Sequence, residues 1–176
     1  MSVVVAIVGA ESTGKTSLAL ALAQRLRASG LSAAAVPELL RHWCEREGRT
    51  PRPDEQADIA HAQTDAIDLA ARTHDVVLCD TTALMTAIYS EYIFSDHSLT
   101  EAGLAFHRRC ALTLLTALDI EWEADGLQRE GPHVRPPIDA LIRRTLEQGG
   151  IAWSLVEGRG AARVESALRA ITPLLP

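Results

Sequence analysis

Eight residues near the start of the chain have the spacing of a phosphate-binding loop. Residues 9–16, Gly-Ala-Glu-Ser-Thr-Gly-Lys-Thr, fit the P-loop pattern G-x-x-x-x-G-K-[ST]. Gly9 and Gly14 allow a tight turn that aims backbone N–H groups at phosphate oxygens. Lys15 places an ammonium on the β- and γ-phosphates, and the Thr16 hydroxyl is a hard oxygen ligand for Mg²⁺. The pattern therefore predicts ATP and Mg²⁺ as cofactors.

The sequence on both sides of this stretch supports the same interpretation. Residues 2–8 form a β-branched apolar run typical of a buried parallel strand, and residues 17–26 are rich in helix formers. The N-terminus of that helix adds partial positive charge to the phosphate site. Lys15 is the chain's only lysine, and every other permanently charged basic side chain is an arginine. The alternative is a glycine turn that merely joins a strand to a helix.

Composition excludes several classes of partner. With 176 residues, 47% of them hydrophobic, we expect a single domain spanning residues 1–176. The net charge of −6 argues against nucleic-acid and anionic-membrane surfaces. No apolar run approaches the roughly 20 residues that span a bilayer, and we recognise no signal segment. Three cysteines without metal-ligand spacing are typical of reduced thiols, so we expect a cytoplasmic protein. We also expect a monomer or a small homo-oligomer.

Strand patterns alternate with helix patterns along the rest of the chain. Strands are predicted at residues 2–8, 31–36, 75–79, 110–118 and 151–156. Helices are predicted at residues 17–28, 38–46, 53–73, 83–94, 98–109, 138–148 and 161–174. This order predicts an α/β fold, in which a five-stranded parallel sheet has helices on both faces. It is the three-layer sandwich of P-loop NTPases and nucleoside-monophosphate kinases.

Ligands of such sheets bind at the carboxyl ends of the strands, where acidic residues follow two of the strands. Asp80 ends the third strand as a Walker B acid does, and we assign it to Mg²⁺ with Thr16. The alternative is a cap for the helix at residues 81–82. Glu38 follows the second strand and is a candidate base that accepts the proton of a substrate hydroxyl. The alternative is a glutamate in the first turn of a helix, where its charge interacts favourably with the helix dipole. The sequence leaves open which of the two carboxylates is the base.

Further candidates lie in loops at the same edge. Residues 119–137 are polar and interrupted by glycine and proline, which predicts a mobile flap whose Arg129 and Arg135 close on the moving phosphoryl group. An ordinary surface loop is the alternative. Arg41 is placed to pair with Glu38 or a phosphate. Trp122 and Tyr89 are weaker candidates for stacking on a substrate ring, and no histidine receives a catalytic role.

The whole set resembles the nicotinamide riboside kinase domain of NadR-type bacterial regulators of NAD biosynthesis. Besides residues 9–16, the resemblance rests on four stretches that run in the family's order: Glu38-x-x-Arg41, Asp80-Thr81-Thr82, residues 89–92 and residues 119–127. The family's reaction is ATP-dependent phosphorylation of nicotinamide riboside to nicotinamide mononucleotide. The chain departs from the family at Glu121, where proline is frequent, and at Gln128, where arginine is frequent; Arg129 is one residue from that arginine.

These observations give a set of expected site residues. The nucleotide site comprises Gly9, Glu11, Ser12, Thr13, Gly14, Lys15, Thr16, Ser17, Gly158 and Arg163, with adenine near residues 158–163. The substrate site implied by the resemblance comprises Glu38, Arg41, Asp80, Tyr89, Trp122 and Asp125. The expected catalytic groups are Lys15, Glu38, Asp80, Arg129 and Arg135.

The favoured function is a small-molecule kinase with nicotinamide riboside as the phosphate acceptor. Two alternatives are a kinase for another nucleoside and a P-loop ATPase or nucleotide switch that acts on a protein partner. Gln128 and the missing family proline slightly favour the switch.

Overall fold

The protein is a three-layer α/β structure, here a computed structural model that describes residues 2–124 and 131–175. The strands are β1 (Val3–Val8), β2 (Ala33–Val36), β3 (Val76–Asp80), β4 (Leu112–Thr116) and β5 (Ser154–Val156). The helices are α1 (Lys15–Ala28), α2 (Leu39–Glu47), α3 (Gln56–Ala71), α4 (Ala83–Phe94), α5 (Thr100–His107), α6 (Arg135–Gln148) and α7 (Gly160–Ile171). Short 3₁₀ turns occupy Pro53–Glu55, Pro132–Val134 and Thr172–Leu174.

The five strands form one sheet in the order β2-β3-β1-β4-β5, and every neighbouring pair is parallel. The predicted fold class is therefore confirmed. Because all strands point the same way, their carboxyl ends meet at one edge. The loops that carry the P-loop, Glu38, Asp80, Asp119 and Glu157 all leave the sheet at this edge, as the strand order predicts.

Alternating side chains along the strands build a core on each face of the sheet. Val5 and Ile7 of β1 point toward α1 and α7 and are fully buried with Leu22 and Ile171. Val8 points to the opposite face, in the apolar cluster formed by α4, α5 and α6. Helix α3 covers the β2–β3 side of that second face. This two-residue alternation is what a parallel sheet buried on both faces requires.

Strands β2 and β5 begin two and three residues later than predicted, because the residues in front of them complete the preceding helices. The N–H of Leu31 donates to the Leu26 carbonyl at 3.1 Å, and the N–H of Ile151 donates to the Leu146 carbonyl at 2.9 Å. Gly30 and Gly150 precede them with φ of 94° and 66°, the left-handed conformation that ends a helix. These residues therefore complete helix caps and do not pair in the sheet.

The predicted flap at residues 119–137 is wrong in its last part. Residues 132–134 form a 3₁₀ turn, and α6 begins at Arg135, three residues earlier than predicted. Pro136 and Pro137 occupy the first turn of α6, where a missing N–H removes no helical hydrogen bond. Pro136 and Pro137, which the sequence pattern assigns to a loop, therefore lie at a helix start and suit it.

Within the two ranges that the structure describes, no helix is both long enough and apolar enough to cross a membrane.

A buried histidine joins two layers behind the sheet edge. His107, at the end of α5, is 1% exposed, and its ring nitrogens lie 2.6 Å from Thr82 Oγ1 and 3.2 Å from Thr113 Oγ1. Burial lowers the pKa of His107 to about 4. The imidazole is therefore neutral at pH 7 and holds the start of α4 against β4.

Acid should destabilise the protein through this imidazole. Since the pKa of His107 is about 4 in the folded state and about 6.5 in the unfolded chain, its contribution is complete above pH 6.5 and is lost as the pH falls toward 4. We expect the free energy of unfolding to fall by about 3 kcal/mol more between pH 7 and 4 in the wild type than in His107→Gln. Urea denaturation at both pH values measures this. Replacing the exposed His61 by Gln is the matched control and should leave the wild-type slope unchanged.

Candidate active site

The P-loop residues wrap around the N-terminus of α1. Gly14 has φ of 76° and directly precedes the helix, which begins at Lys15, two residues earlier than predicted. Ser12 is also left-handed, with φ of 52°. The N–H groups in the first turn of a helix have no partner within it. They therefore face the space above the loop, where an anion would be stabilised by hydrogen bonds and by the helix dipole.

Buried hydroxyls hold the loop from below. Thr13 Oγ1 donates to the Ala10 carbonyl at 2.9 Å and lies 2.7 Å from Thr116 Oγ1 at the end of β4. Thr116 Oγ1 also lies 3.2 Å from the Val8 carbonyl. A Cβ at Gly9 would lie only 1.9 Å from Thr116 Oγ1, so a side chain there would push the strand and the loop apart. Gly9 thus serves packing, and it lies outside the cavity described below.

Arg163 binds the loop from the side. This α7 residue is 5% exposed, and its guanidinium donates to the Thr13 carbonyl at 2.9 Å and the Ala117 carbonyl at 3.1 Å. It also donates to the Gly158 carbonyl at 2.7 Å and to Asp119 Oδ1 at 2.6 Å. One planar cation thereby connects the P-loop to the loops that follow β4 and β5.

Asp119 completes this connection. Its Oδ2 accepts the Gly158 N–H at 2.7 Å, while Oδ1 accepts from Arg163. Burial opposes ionisation of Asp119, but the hydrogen bonds from Arg163 and Gly158 outweigh it and hold the pKa of this carboxyl below its usual value. The carboxylate is therefore charged at neutral pH and acts as a fixed anchor.

Thr16 and Asp80 meet as predicted for a metal site. The Thr16 hydroxyl donates to Asp80 Oδ2 at 2.5 Å, and Asp80 is 3% exposed. The other carboxylate oxygen, Oδ1, is buried and has no hydrogen-bond partner among the described residues. A buried carboxylate oxygen without a donor, beside a hydroxyl, is a donor set that suits Mg²⁺ completed by phosphate oxygens and water.

Two cavities open at this edge of the sheet. The first, which we call the P-loop cavity, has a volume of about 970 Å³ and lies between the P-loop and residues 159–164. It is lined by Ser12, Thr13, Gly14, Lys15, Thr16, Ser17, Leu18, Ala21, Glu38, Arg41, Ile120, Glu121, Glu123, Ala124, Arg159, Gly160, Ala161, Arg163 and Val164.

The second, which we call the side cavity, has a volume of about 440 Å³ and lies among the loops and helices on the β2–β3 side. It is lined by Glu11, Lys15, Glu38, Leu40, Thr50, Pro51, Arg52, Pro53, Gln56, Thr81, Met85, Tyr89, Ile93 and Phe94. Lys15 and Glu38 belong to both linings, so the two cavities meet at an ammonium and a carboxylate.

Glu38 is fixed by an interaction that sequence reasoning missed. Gln63 of α3 is 2% exposed; its Oε1 accepts from the Leu39 N–H at 2.8 Å and its Nε2 donates to the Pro37 carbonyl at 3.1 Å. One amide therefore binds the backbone on both sides of Glu38. The Glu38 carboxylate also lies 3.8 Å from Arg41 Nε, one turn along α2.

The predicted site residues are divided between the two cavities, and some line neither. Most nucleotide-site residues line the P-loop cavity, but Glu11 lines the side cavity, and Gly158 acts through Asp119 and Arg163. Tyr89 lines the side cavity, whereas Arg41 lines the P-loop cavity. Asp125 and Arg129 lie outside the described residues.

Arg135 and Trp122 are not where the prediction placed them. Arg135 is 7% exposed at the start of α6, donates to the Ile120 carbonyl at 2.9 Å and lines neither cavity. Burial and the neighbouring Arg163 cation lower its pKa. Trp122 likewise lines neither cavity. Arg135 is the first residue of a helix that packs on the core, and it does not lie in the loop where the sequence placed it.

A spacing signal for the missed glutamines was present in the sequence. Gln56 and Gln63 are seven residues apart in a helical pattern, which places both on one face of α3. Two amides on a face that also carries buried apolar residues are expected to be buried and to form hydrogen bonds inside the fold. The partners of Gln63, however, lie 24 and 26 residues away in the chain.

Comparison with known proteins agrees with this geometry. A profile of the AAA domain family matches residues 4–163, most of the chain. The chain belongs to this family. A search of curated protein sequences found no match.

Solved structures show the same fold at low sequence identity. A NadR protein in complex with NR superposes with a TM-score of 0.75 at 22% identity, covering 98% of this chain and 50% of that one. A deoxyadenosine kinase from M. mycoides gives a TM-score of 0.67 at 11% identity and 97% and 99% coverage. A thymidylate kinase from Ehrlichia chaffeensis gives 0.63 at 13% identity and 98% coverage of both chains. The chain thus spans about half the length of the NadR structure. The likeness confirms the fold and agrees with the resemblance seen in the sequence.

The Arg163 connection predicts a coupled loss of stability and nucleotide binding. Lysine at this position offers no planar fork, so Arg163→Lys leaves several buried oxygens without a donor. We expect a loss of about 2–3 kcal/mol in the free energy of unfolding and at least tenfold weaker ATP binding. Urea denaturation and calorimetry measure the two effects. The exposed Arg169 lies on the same helix, and Arg169→Lys should change neither quantity.

Proposed function

We propose that the protein is an ATP-dependent kinase that phosphorylates a hydroxyl of a nucleoside, with nicotinamide riboside as the preferred acceptor. The observation that carries this proposal is the junction of the two cavities at Lys15 and Glu38. A nucleotide in the P-loop cavity and an acceptor in the side cavity would meet at these two side chains. A P-loop protein that only switches between nucleotide states has no need of a second cavity at this place.

The reaction follows from the charges at the junction. The acceptor hydroxyl oxygen attacks the γ-phosphorus, its proton passes to the Glu38 carboxylate, and the bond to the β–γ bridging oxygen breaks to release ADP. Lys15 and the first-turn N–H groups of α1 stabilise the negative charge on the phosphates. Glu38 is the better candidate base because it lines the side cavity, whereas Asp80 is engaged by Thr16 and lines neither cavity.

Thr16 and Asp80 would hold Mg²⁺, which when bound neutralises charge on the β- and γ-phosphates. The Thr16 hydroxyl and the buried Asp80 Oδ1 supply the oxygen donors. Their short contact fixes both side chains before the nucleotide arrives.

The walls of the side cavity favour a nucleoside over a nucleotide. Met85, Tyr89 and Phe94 offer apolar and aromatic surface for a planar ring. Arg52 is the one arginine among the described lining residues, and its guanidinium already lies 3.0 Å from Glu55 and 3.6 Å from Asp54. Apart from Lys15 at the junction, a phosphate on the acceptor would therefore find little positive charge in this cavity. The resemblance to nicotinamide riboside kinases supports nicotinamide riboside as the preferred acceptor.

The proposal is tested by incubating the purified protein with Mg·ATP and a panel of ribosides. We expect phosphorylated nicotinamide riboside, detected by mass spectrometry, with the highest kcat/KM in the panel. Lys15→Ala should abolish product formation while melting like the wild type, since the side chain acts on the phosphates. ATP hydrolysis that is indifferent to every riboside would reject the kinase and favour a nucleotide switch.

Replacing the candidate base separates chemistry from binding. Glu38→Gln keeps the shape of the side chain and removes its ability to accept a proton, so kcat should fall about 10²- to 10⁴-fold while KM for both substrates stays within a few-fold. Steady-state kinetics measures this split. Glu45, exposed on the same helix, gives the matched variant Glu45→Gln, which should behave as wild type. An unchanged kcat in Glu38→Gln would mean that another group is the general base.

A further inference from the structure

Gln56, the first residue of α3, lines the side cavity and carries an amide oxygen that has no donor among the described residues. The residue is 4% exposed. Its Nε2 lies 3.5 Å from the Pro51 carbonyl, but Oε1 is buried and accepts no hydrogen bond from any described residue. Leaving a buried amide oxygen without a donor costs about 1–3 kcal/mol. Such an atom in a cavity wall indicates that a ligand supplies the missing donor.

The orientation of this amide is fixed by its neighbour. A backbone carbonyl only accepts hydrogen bonds, and proline has no N–H to offer. If the amide were rotated by half a turn, Oε1 would face the Pro51 carbonyl oxygen and repel it. The Nε2 group therefore stays toward Pro51, and Oε1 is left for a donor in the cavity.

The position of Gln56 assigns it to the ring end of an acceptor. Gln63, which holds the backbone beside Glu38, is seven residues further along α3, a rise of about 10 Å. Gln56 thus lies about two helical turns from the junction where the hydroxyl would react. A nucleoside with its hydroxyl at Glu38 extends its ring toward Gln56.

We infer that Gln56 determines acceptor specificity by accepting a hydrogen bond from an N–H donor on the acceptor's ring, such as a carboxamide. This inference rests on the proposed function and adds a selection rule to it. A ring that carries a carboxylate would place a second acceptor against Oε1. Glu11 and Glu38, which line the same cavity, oppose that negative charge further. Of the two cations in this lining, Lys15 lies at the junction and Arg52 is engaged by Glu55.

Two ribosides that differ only in this group test the inference. Nicotinamide riboside carries a carboxamide, and nicotinic acid riboside carries a carboxylate. We expect the wild type to prefer the carboxamide, and Gln56→Met to raise KM and Kd for it about 10- to 100-fold, with kcat within about twofold. KM and Kd of Gln56→Met for the carboxylate riboside should stay within about twofold of the wild-type values. The variant therefore loses most of its preference for the carboxamide. Steady-state kinetics and calorimetry measure both quantities.

A matched glutamine elsewhere controls for the general effect of replacing this side chain by methionine. Gln24 is exposed on α1, and Gln24→Met should match the wild type with both ribosides.

The outcomes separate this inference from the proposed function. If the wild type phosphorylates ribosides but Gln56→Met changes both of them equally, the specificity role of Gln56 is wrong and the kinase stands. If the wild type binds the carboxamide riboside without transferring phosphate, the kinase is wrong and the Kd ratio still decides the role of Gln56. If the wild type binds neither riboside, both are overturned.

Discussion

The phosphate-binding shape of residues 9–16 depends on buried polar contacts underneath it. Backbone N–H groups repel one another when they converge, so a loop that aims several of them at one point has to be held by the surrounding fold. Thr13 and Thr116 hold it from the sheet, and Arg163 holds it from α7 while engaging the charged Asp119. The same contacts position Lys15, and through it the place where the two cavities meet.

The charges around that meeting point explain why a lone lysine belongs there. Lys15 lines both cavities together with Glu38, and its ammonium donates to the Ala10 carbonyl at 2.8 Å. A compact ammonium on a flexible stem can follow a phosphoryl group that changes partners, whereas a planar guanidinium binds in one fixed orientation. The chain uses arginine for the fixed contact at Arg163, and in the proposed kinase reaction lysine would serve the contact that has to move.

Local patterns predict the fold and the proximity of Thr16 and Asp80. Strand alternation, glycine turns and the position of Asp80 at a strand end are all visible in neighbouring residues. The errors arose where distant parts of the chain decide. Pro136 and Pro137 suit a loop and a helix start equally, and the burial of Arg135 against Ile120 depends on tertiary packing. Gln63 has a role only because α3 passes beside the residues that flank Glu38.

The turn after Asp80 shows how the fold positions the Thr16–Asp80 pair at some cost in backbone strain. Thr81 has φ of 67°, a left-handed conformation that costs a β-branched residue about 1–3 kcal/mol. It persists because its N–H donates to the Ile7 carbonyl at 3.1 Å and because the next residue, Thr82, caps α4 and lies 2.6 Å from buried His107. This turn ends β3 abruptly and leaves the Asp80 carboxylate beside Thr16. The buried imidazole thus helps to keep the strained turn in place.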